Sequence, residues 1–476
     1  MSTFYIEVMD EIMDDLIPVH IGLMGHIDHG KTALARVMSE KVSTAGLDKH
    51  PQAQQRGITI DLGFTMFVLD DFLVTLVDAP GHADLIRSVV ACANIIDSAI
   101  LVVAADEGPK IQTGEHLVIL HSLGIDSIVI AITKIDLVSQ AQVSKVENQM
   151  KQILRDLGFQ TVEYVHLSAK TNEGIDKLRK SLLRVITPRK RNRNGSLLVP
   201  IDHAFPIKGH GTVVTGTILQ GSLKIEDLVE VVPLDKKAKI RAIQTFGQDR
   251  LEASAGDRVG INLPELDHSQ ITRGDYICTP GSVKKSDCLF IHVRKNPLYK
   301  GSITKKMIVS AAIGMPMVIA QIVPYTHEIE HKIVLDSVTT DEFDAGLFLQ
   351  KPTAIDPASK ILLLRTDLPP SQMRIIGSAS ILEVSDRIHI QRRKQRMGKV
   401  QRLRENDVLV EGLASNKRTA ESLTGVNVYT ENNVQGTIHA PFGTRGVVSV
   451  TFKTPVSENE RVYYEWLVEE EYRFGR

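Results

Sequence analysis

Short apolar runs alternate with helically spaced segments through the first part of the chain. Val19–Met24 is an apolar run that enters a glycine-rich turn, and Lys31–Met38 then carries helical spacing. Phe64–Leu69 and Phe72–Val77 read as strands joined by Asp70-Asp71, the pattern of a hairpin. A helix is predicted from about Ala83. Ile100–Ala104, Ile128–Thr133 and Val165–Leu167 are short continuous apolar runs, as buried parallel strands are. Helical windows fall near Thr113–Leu123, Gln142–Leu157 and Ile175–Val185. This alternation predicts a doubly wound α/β domain that ends near Ile186.

The pattern then changes. Pro188–Gly195 is a basic, polar linker, and from Leu197 onward short β-rich segments recur between Gly, Pro and Asp. Gly211–Leu219, Leu228–Pro233, Ile240–Phe246 and Arg258–Leu263 are strand-like and predict an all-β barrel. A second β series, from Asp287 to about Val384, predicts another barrel, and a β-rich segment follows a basic stretch near the end. The expected divisions are an acidic extension over 1–18, the α/β domain over 19–187, barrels over 196–283 and 284–385, and a small β-rich domain over 388–476.

Composition narrows the class. A chain of 476 residues is too long for one core. Its 56 basic and 57 acidic residues give no global field, so an RNA partner would have to be held by local basic patches. Cys92, Cys278 and Cys288 form no paired CxxC, which argues against a disulfide framework or a zinc knuckle. The first fifteen residues are acidic rather than basic and apolar, unlike a signal peptide. The most apolar window, Val89–Ala105, contains Asn94 and Asp97, and no segment reads as transmembrane. A cytoplasmic protein without a membrane partner is expected.

Gly25-His26-Ile27-Asp28-His29-Gly30-Lys31-Thr32 fits GxxxxGK[ST] between a strand and a helix. Such a loop points successive backbone N–H groups at phosphates. Lys31 supplies a cation for the β- and γ-phosphates, and Thr32 a hydroxyl for Mg²⁺. Asp78-Ala79-Pro80-Gly81 follows the strand Phe72–Val77. Asp78 can reach Mg²⁺ directly or through water, and Gly81 can offer an N–H to the γ-phosphate. Thr59 lies between these motifs as a second hydroxyl for the metal. Thr133-Lys134-Ile135-Asp136 ends the next strand. There Asp136 can accept two hydrogen bonds from guanine that adenine cannot donate, and the Lys134 stem covers the base. Ser168-Ala169-Lys170 can offer a backbone N–H to guanine O6. His82, directly after Gly81, is placed to orient an attacking water. The predicted nucleotide residues are therefore Gly25, Asp28, His29, Gly30, Lys31, Thr32, Ala33, Gly81, Thr133, Lys134, Asp136, Ser168, Ala169 and Lys170. Thr32, Thr59 and Asp78 are the metal set and His82 the catalytic group, with GTP or GDP and Mg²⁺ as cofactors.

Gly-His-Ile-Asp-His-Gly-Lys-Thr, Arg-Gly-Ile-Thr-Ile and Asp-Ala-Pro-Gly-His resemble the translational GTPases of the elongation factor Tu group. The resemblance covers about residues 19–385. It implies a GTPase domain followed by two β-barrels that hold aminoacyl-tRNA in the GTP state. It also implies that Thr59 orders the first switch and that His82 helps hydrolysis on the ribosome. One departure is Thr133, where the family usually has an asparagine that braces the loop and contacts the base. Threonine keeps a hydroxyl and loses the amide.

Pro200–Gly216 looks like the segment that builds the aminoacyl pocket, with Asp202, His203, Phe205 and Thr215, joined by Arg258. Elongation factor Tu has acidic residues at the positions of Asp202 and His203, and asparagine at that of Arg258. A more cationic pocket would favour the selenolate of selenocysteine over the neutral hydroxyl of serine. With the fourth domain, this pattern resembles the archaeal and eukaryotic selenocysteine-specific elongation factors. The resemblance implies selenocysteyl-tRNA, the ribosome, and an mRNA-hairpin-binding protein or the hairpin itself as partners. Two other readings stay open, a γ subunit of the initiator-tRNA-carrying factor and a GTPase-like adaptor. Arg387–Arg404 carries eight cations and no acid within the run, which fits either a solvated strand surface or phosphate contact.

Overall fold

The computed structural model describes residues 16–39, 41–42, 63–79, 86–329, 331–369 and 371–475, with backbone alone at 41, 42, 87, 92 and 156. Thr59, Gly81 and His82 lie outside the described residues.

The GTPase-like domain is built on β1 (Ile17–Gly25), β2 (Lys41–Val42), β3 (Gly63–Leu69), β4 (Phe72–Asp78), β5 (Ser98–Ala104), β6 (Ser127–Thr133) and β7 (Thr161–His166). They form one seven-stranded sheet in the order β2-β3-β4-β1-β5-β6-β7. β1 runs parallel to β4 and β5, and β6 and β7 continue the parallel series. The β3–β4 hairpin is antiparallel and turns at Asp70, whose φ of 49° is the left-handed conformation that short polar residues tolerate. Helices α1 (Lys31–Met38), α2 (Ile86–Ile95), α3 (Ile111–Ser122), α4 (Gln140–Leu157) and α5 (Ile175–Val185) belong to the same domain. In α5, Ile175, Leu178, Leu182 and Val185 fall on one face and are buried. Its N-cap is Gly174, where a Cβ would meet the His166 carbonyl oxygen at 2.2 Å.

The first barrel comprises β8 (Leu198–Ile207), β9 (Gly211–Thr217), β10 (Ser222–Lys224), β11 (Leu228–Val232), β12 (Lys236–Lys239), β13 (Ala242–Thr245), β14 (Gln248–Arg250), β15 (Glu252–Ser254), β16 (Arg258–Asn262) and β17 (Tyr276–Cys278). The strand expected over Ile240–Phe246 is shortened to Ala242–Thr245. The chain leaves β11 at Lys239 and joins β16 at Ala242, so it changes partners at a corner.

The second barrel follows, with β18 (Lys284–Lys295), β19 (Ile303–Thr304), β20 (Met307–Ile313), β21 (Met317–Glu328), β23 (Ser337–Val338), β24 (Glu342–Ile355), β25 (Lys360–Leu364) and β26 (Ile375–Ser385), while β22 (His331–Val334) belongs to the unit described next. Six of these close in the order β20-β25-β26-β18-β24-β21, with β21 pairing back to β20. Each of these six strands is thereby paired on both sides among the described residues.

Residues 325–336 and 387–472 form a second compact unit. Its strands are β27 (Ile388–Leu403), β28 (Val408–Glu411), β29 (Asn427–Thr430), β30 (Gln435–Phe442), β31 (Val447–Phe452) and β32 (Arg461–Tyr472). They close in the order β27-β28-β31-β30-β29-β32, with β32 pairing back to β27. The short helix α6 (Lys417–Ser422) is capped by Asn416, whose side chain accepts from the Thr419 N–H. Val400, Val410, Val428, Val448 and Val462 are buried in its core. The basic run predicted near Arg387–Arg404 is thus a strand, and acids face it. Arg392 lies 3.6 Å from Glu470, Arg393 meets Glu328 and Glu465, and Arg404 lies 3.4 Å from Asp407.

Candidate functional site

The loop from His26 to Gly30 leaves the buried end of β1 and starts α1. Gly25 has φ 142°, and a Cβ there would meet the Val102 carbonyl oxygen at 2.3 Å, so β5 admits only glycine. Gly30, with φ 90°, is the N-cap of α1. Lys31 is buried, and its Nζ donates to the His26 carbonyl at 2.7 Å, closing the loop. Burial pushes the Lys31 amine down to about 8, against the opposing pull of Asp78 and Asp28. Thr32 Oγ1 donates to Asp78 Oδ2 at 2.9 Å. A hydroxyl and a buried carboxylate side by side form the oxygen-rich set that Mg²⁺ prefers.

The loop is braced from three sides. Thr133, at the end of β6, donates its hydroxyl to the His29 carbonyl at 2.7 Å. The departure from asparagine therefore keeps a brace on the loop. His29 is buried, with Nδ1 3.3 Å from the Val102 carbonyl oxygen, and burial pushes its imidazole down to about 4. His116, on α3, accepts from the Gly25 N–H at Nδ1 over 3.1 Å. Burial, reinforced by the Lys31 charge, holds His116 down to about 3, so it stays neutral. No sequence motif marks His116, because its role depends on where α3 packs.

The base-side loops also lie at strand ends. Lys134 takes the left-handed conformation, φ 57°, and its Nζ is 3.3 Å from Asp106. Asp136 is exposed within the single turn Ile135–Leu137. The Ser168 N–H already donates to the Glu173 carbonyl at 3.0 Å, so an amide offered to a base comes from Ala169 or Lys170. Asp28 and Ala33 are exposed.

In the first barrel a buried polar cluster gathers four of the five predicted pocket residues. Asp202 accepts from Thr215 Oγ1 at 2.5 Å and from two Arg258 nitrogens at 2.6 and 3.1 Å, and His203 Nδ1 lies 2.9 Å away. Burial alone would raise the Asp202 carboxyl, but the Arg258 guanidinium and the His203 hydrogen bond hold it well below the usual carboxylate range. The Arg258 and Asp202 side chains are 3% and 0% exposed, whereas His203 is 26% exposed. The arginine expected to make the pocket more cationic is thus paired with a carboxylate. Phe205, Thr215 and Arg258 line a cavity of about 290 Å³ that extends to Phe246 and Asn262.

A phosphate loop on a doubly wound sheet, strand-end loops suited to guanine, and two following barrels define a translational GTPase. The elongation factor Tu GTP-binding domain matches residues 18–188, and elongation factor Tu domain 2 matches 211–278. Domain III of the archaeal selenocysteine-specific elongation factor matches 283–385. The selenocysteine-specific elongation factor of Methanocaldococcus jannaschii is 40% identical over 454 residues, covering 93% of this chain and 96% of that protein. The mouse protein of the same name, from Mus musculus, is 36% identical and covers 67% of this chain and 60% of its own length. The crystal structure of translation elongation factor SelB from Methanococcus maripaludis with the GTP analogue GppNHp superposes with a TM-score of 0.78 at 35% identity, covering 95% of this chain and 99% of that one. This chain belongs to the selenocysteine-specific elongation factors of the archaeal type. It is a guanine-nucleotide-binding GTPase, and among its described residues no helix is long and apolar enough to cross a membrane.

Proposed function

We propose that this GTPase carries selenocysteyl-tRNA to the ribosome at recoded UGA codons and releases it on GTP hydrolysis. The observation that carries this reading is the buried Arg258 guanidinium lining a cavity in the first barrel, in a chain of this family. A selenol is more acidic than a thiol, so the selenocysteyl ester offers an anion near neutral pH. The ester of serine offers a neutral hydroxyl. Arg258 and His203 would favour the anion, and Phe205 would cover the aminoacyl group. Because Asp202 offsets the Arg258 charge, the pocket's attraction for an anion rests on how far that pairing leaves Arg258 able to reach the ligand and on His203.

In the nucleotide site, Lys31 holds the phosphates, Thr32 and Asp78 hold Mg²⁺, and Asp136 reads guanine. The metal, when bound, neutralises charge on the β- and γ-phosphates. Thr59 and Gly81 respond to the γ-phosphate, and His82 orients the attacking water when the ribosome engages the factor. The small barrel contacts RNA or a hairpin-binding protein through the cations of β27 that the acids of β32 leave uncompensated. Action in translation places the protein in the cytoplasm.

The test is binding of one selenocysteine tRNA, charged with selenocysteine, charged with serine or uncharged, each with a GTP analogue and with GDP. Tight binding restricted to the selenocysteyl form with the GTP analogue supports the reading. Equal binding of all three forms defeats it.

A further inference from the structure

Arg258 is held by two domains at once. Its terminal nitrogens are taken by Asp202 of the same barrel. Its guanidinium carbon lies 3.3 Å from the ring centroid of Phe64, which belongs to β3 of the GTPase domain. Phe64 is fully buried in the GTPase-domain core. The Arg258 Nε is buried and has no hydrogen-bond partner among the described residues. The two-point pairing with Asp202 holds one edge of the guanidinium and leaves its face open to a second contact. An aromatic face fixes the plane, through attraction between the cation and the ring quadrupole that strengthens when water is excluded.

We infer that Phe64 is a positioning residue for the aminoacyl pocket. It presents the Arg258 cation to the ligand only while β3 of the GTPase domain is packed against the first barrel. The inference rests on the selenocysteyl-tRNA reading above and adds a residue outside the barrel to the specificity of the site. β3 begins at Gly63, directly after the segment that contains Thr59. Phe64 is the second residue of β3, so the plane of the pocket cation depends on where that strand packs. When the ring withdraws, Arg258 keeps only Asp202, and the pocket loses selectivity for an anion without losing any barrel side chain.

The experiment compares wild type with Phe64→Leu, which keeps apolar volume but has no π face, and Phe64→Tyr, which keeps the face. Thermal unfolding and GTP-analogue affinity establish that each variant is folded. The first readout is the ratio of affinities for the selenocysteine tRNA charged with selenocysteine and with serine. Phe64→Leu is expected to lower that ratio about tenfold and Phe64→Tyr to retain it. The second readout is the Arg258 Nε–H resonance of ¹⁵N-arginine-labelled protein, identified by its loss in Arg258→Lys. Ring-current shielding should displace it in wild type and Phe64→Tyr and be absent in Phe64→Leu. If wild type discriminates and Phe64→Leu discriminates equally, the inference is overturned and the delivery reading stands. If wild type does not discriminate, the delivery reading falls and the resonance decides. A shift lost only in Phe64→Leu supports the positioning role, and an unmoved resonance overturns it.

Discussion

Arg374 donates to both oxygens of Glu115, at 2.9 and 2.6 Å, across the junction of the GTPase domain and the second barrel. Glu115 lies on α3 and Arg374 immediately precedes β26, and their side chains are 2% and 4% exposed. Ala312, Met315, Leu362 and Ile375 of the barrel join Leu117 and Val118 of α3 in one apolar cluster. The ion pair is thus embedded in a core that two domains share. Removing one partner leaves a buried uncompensated charge. Arg374→Ala is expected to destabilise by about 3–5 kcal/mol, read as a lower urea midpoint. The double replacement Glu115→Leu with Arg374→Met should recover most of that loss.

The Thr133 hydroxyl is a small brace with a measurable effect. Thr133→Val keeps the shape and removes the donor to the His29 carbonyl. A net hydrogen bond of about 1 kcal/mol predicts a roughly five- to tenfold loss in GDP and GTP affinity. Fluorescent-nucleotide titration would show it, and unchanged affinity would mean the loop holds its shape without Thr133.

Three buried histidines make the first unit sensitive to acid. His20 and His116 are held down to about 3 and His29 to about 4, each chiefly by burial. The folded values lie below the ordinary imidazole range, so between about pH 3 and 6.5 the unfolded chain binds more protons. Stability therefore rises with pH across that window and is lost as pH falls through it. Each histidine contributes up to about 1.4 kcal/mol per pH unit. His116→Asn offers an oxygen to the Gly25 N–H and does not titrate. Its stability at pH 5, relative to pH 7, is expected to fall less than that of wild type in parallel urea melts.

The His82 role gives a kinetic test. His82→Ala should leave GTP-analogue affinity within about twofold and slow ribosome-stimulated hydrolysis by about 10²-fold or more, the scale of a lost acid–base or orienting group. Single-turnover hydrolysis on ribosomes measures it, and an unchanged rate would remove His82 from the mechanism.

The parts of this protein that were legible in its sequence are those whose geometry is local. The turn at Asp70, the helix Lys31–Met38 and the order of strand-end loops follow from periodicity and from which residues cap a strand. Asp202 and Arg258 could be named only through the resemblance to elongation factor Tu, and their mutual pairing not at all, because β16 reaches β8 only through β9. His116, Glu115 and Phe64 carry no local signature. Each acts on a distant element, and only packing decides which. The run Arg387–Arg404 is the converse case. It is uniformly basic along the chain and partly neutralised in space, because β32 lays acids opposite it.

The small barrel is as much an insertion as a tail. The chain enters that unit at Tyr325, leaves after Asp336, returns at Arg387 and departs after Tyr472. β22, from the first visit, pairs with β27 from the second, at Ile333 and Gln391. A stop after residue 386 would not excise this domain cleanly. It would strip His331–Val334 of the neighbour it pairs with and leave an open backbone edge inviting another chain. Transplanting the module onto another factor would require moving two separate stretches in register. A single cut at the last linker yields a sticky remnant rather than a three-domain protein.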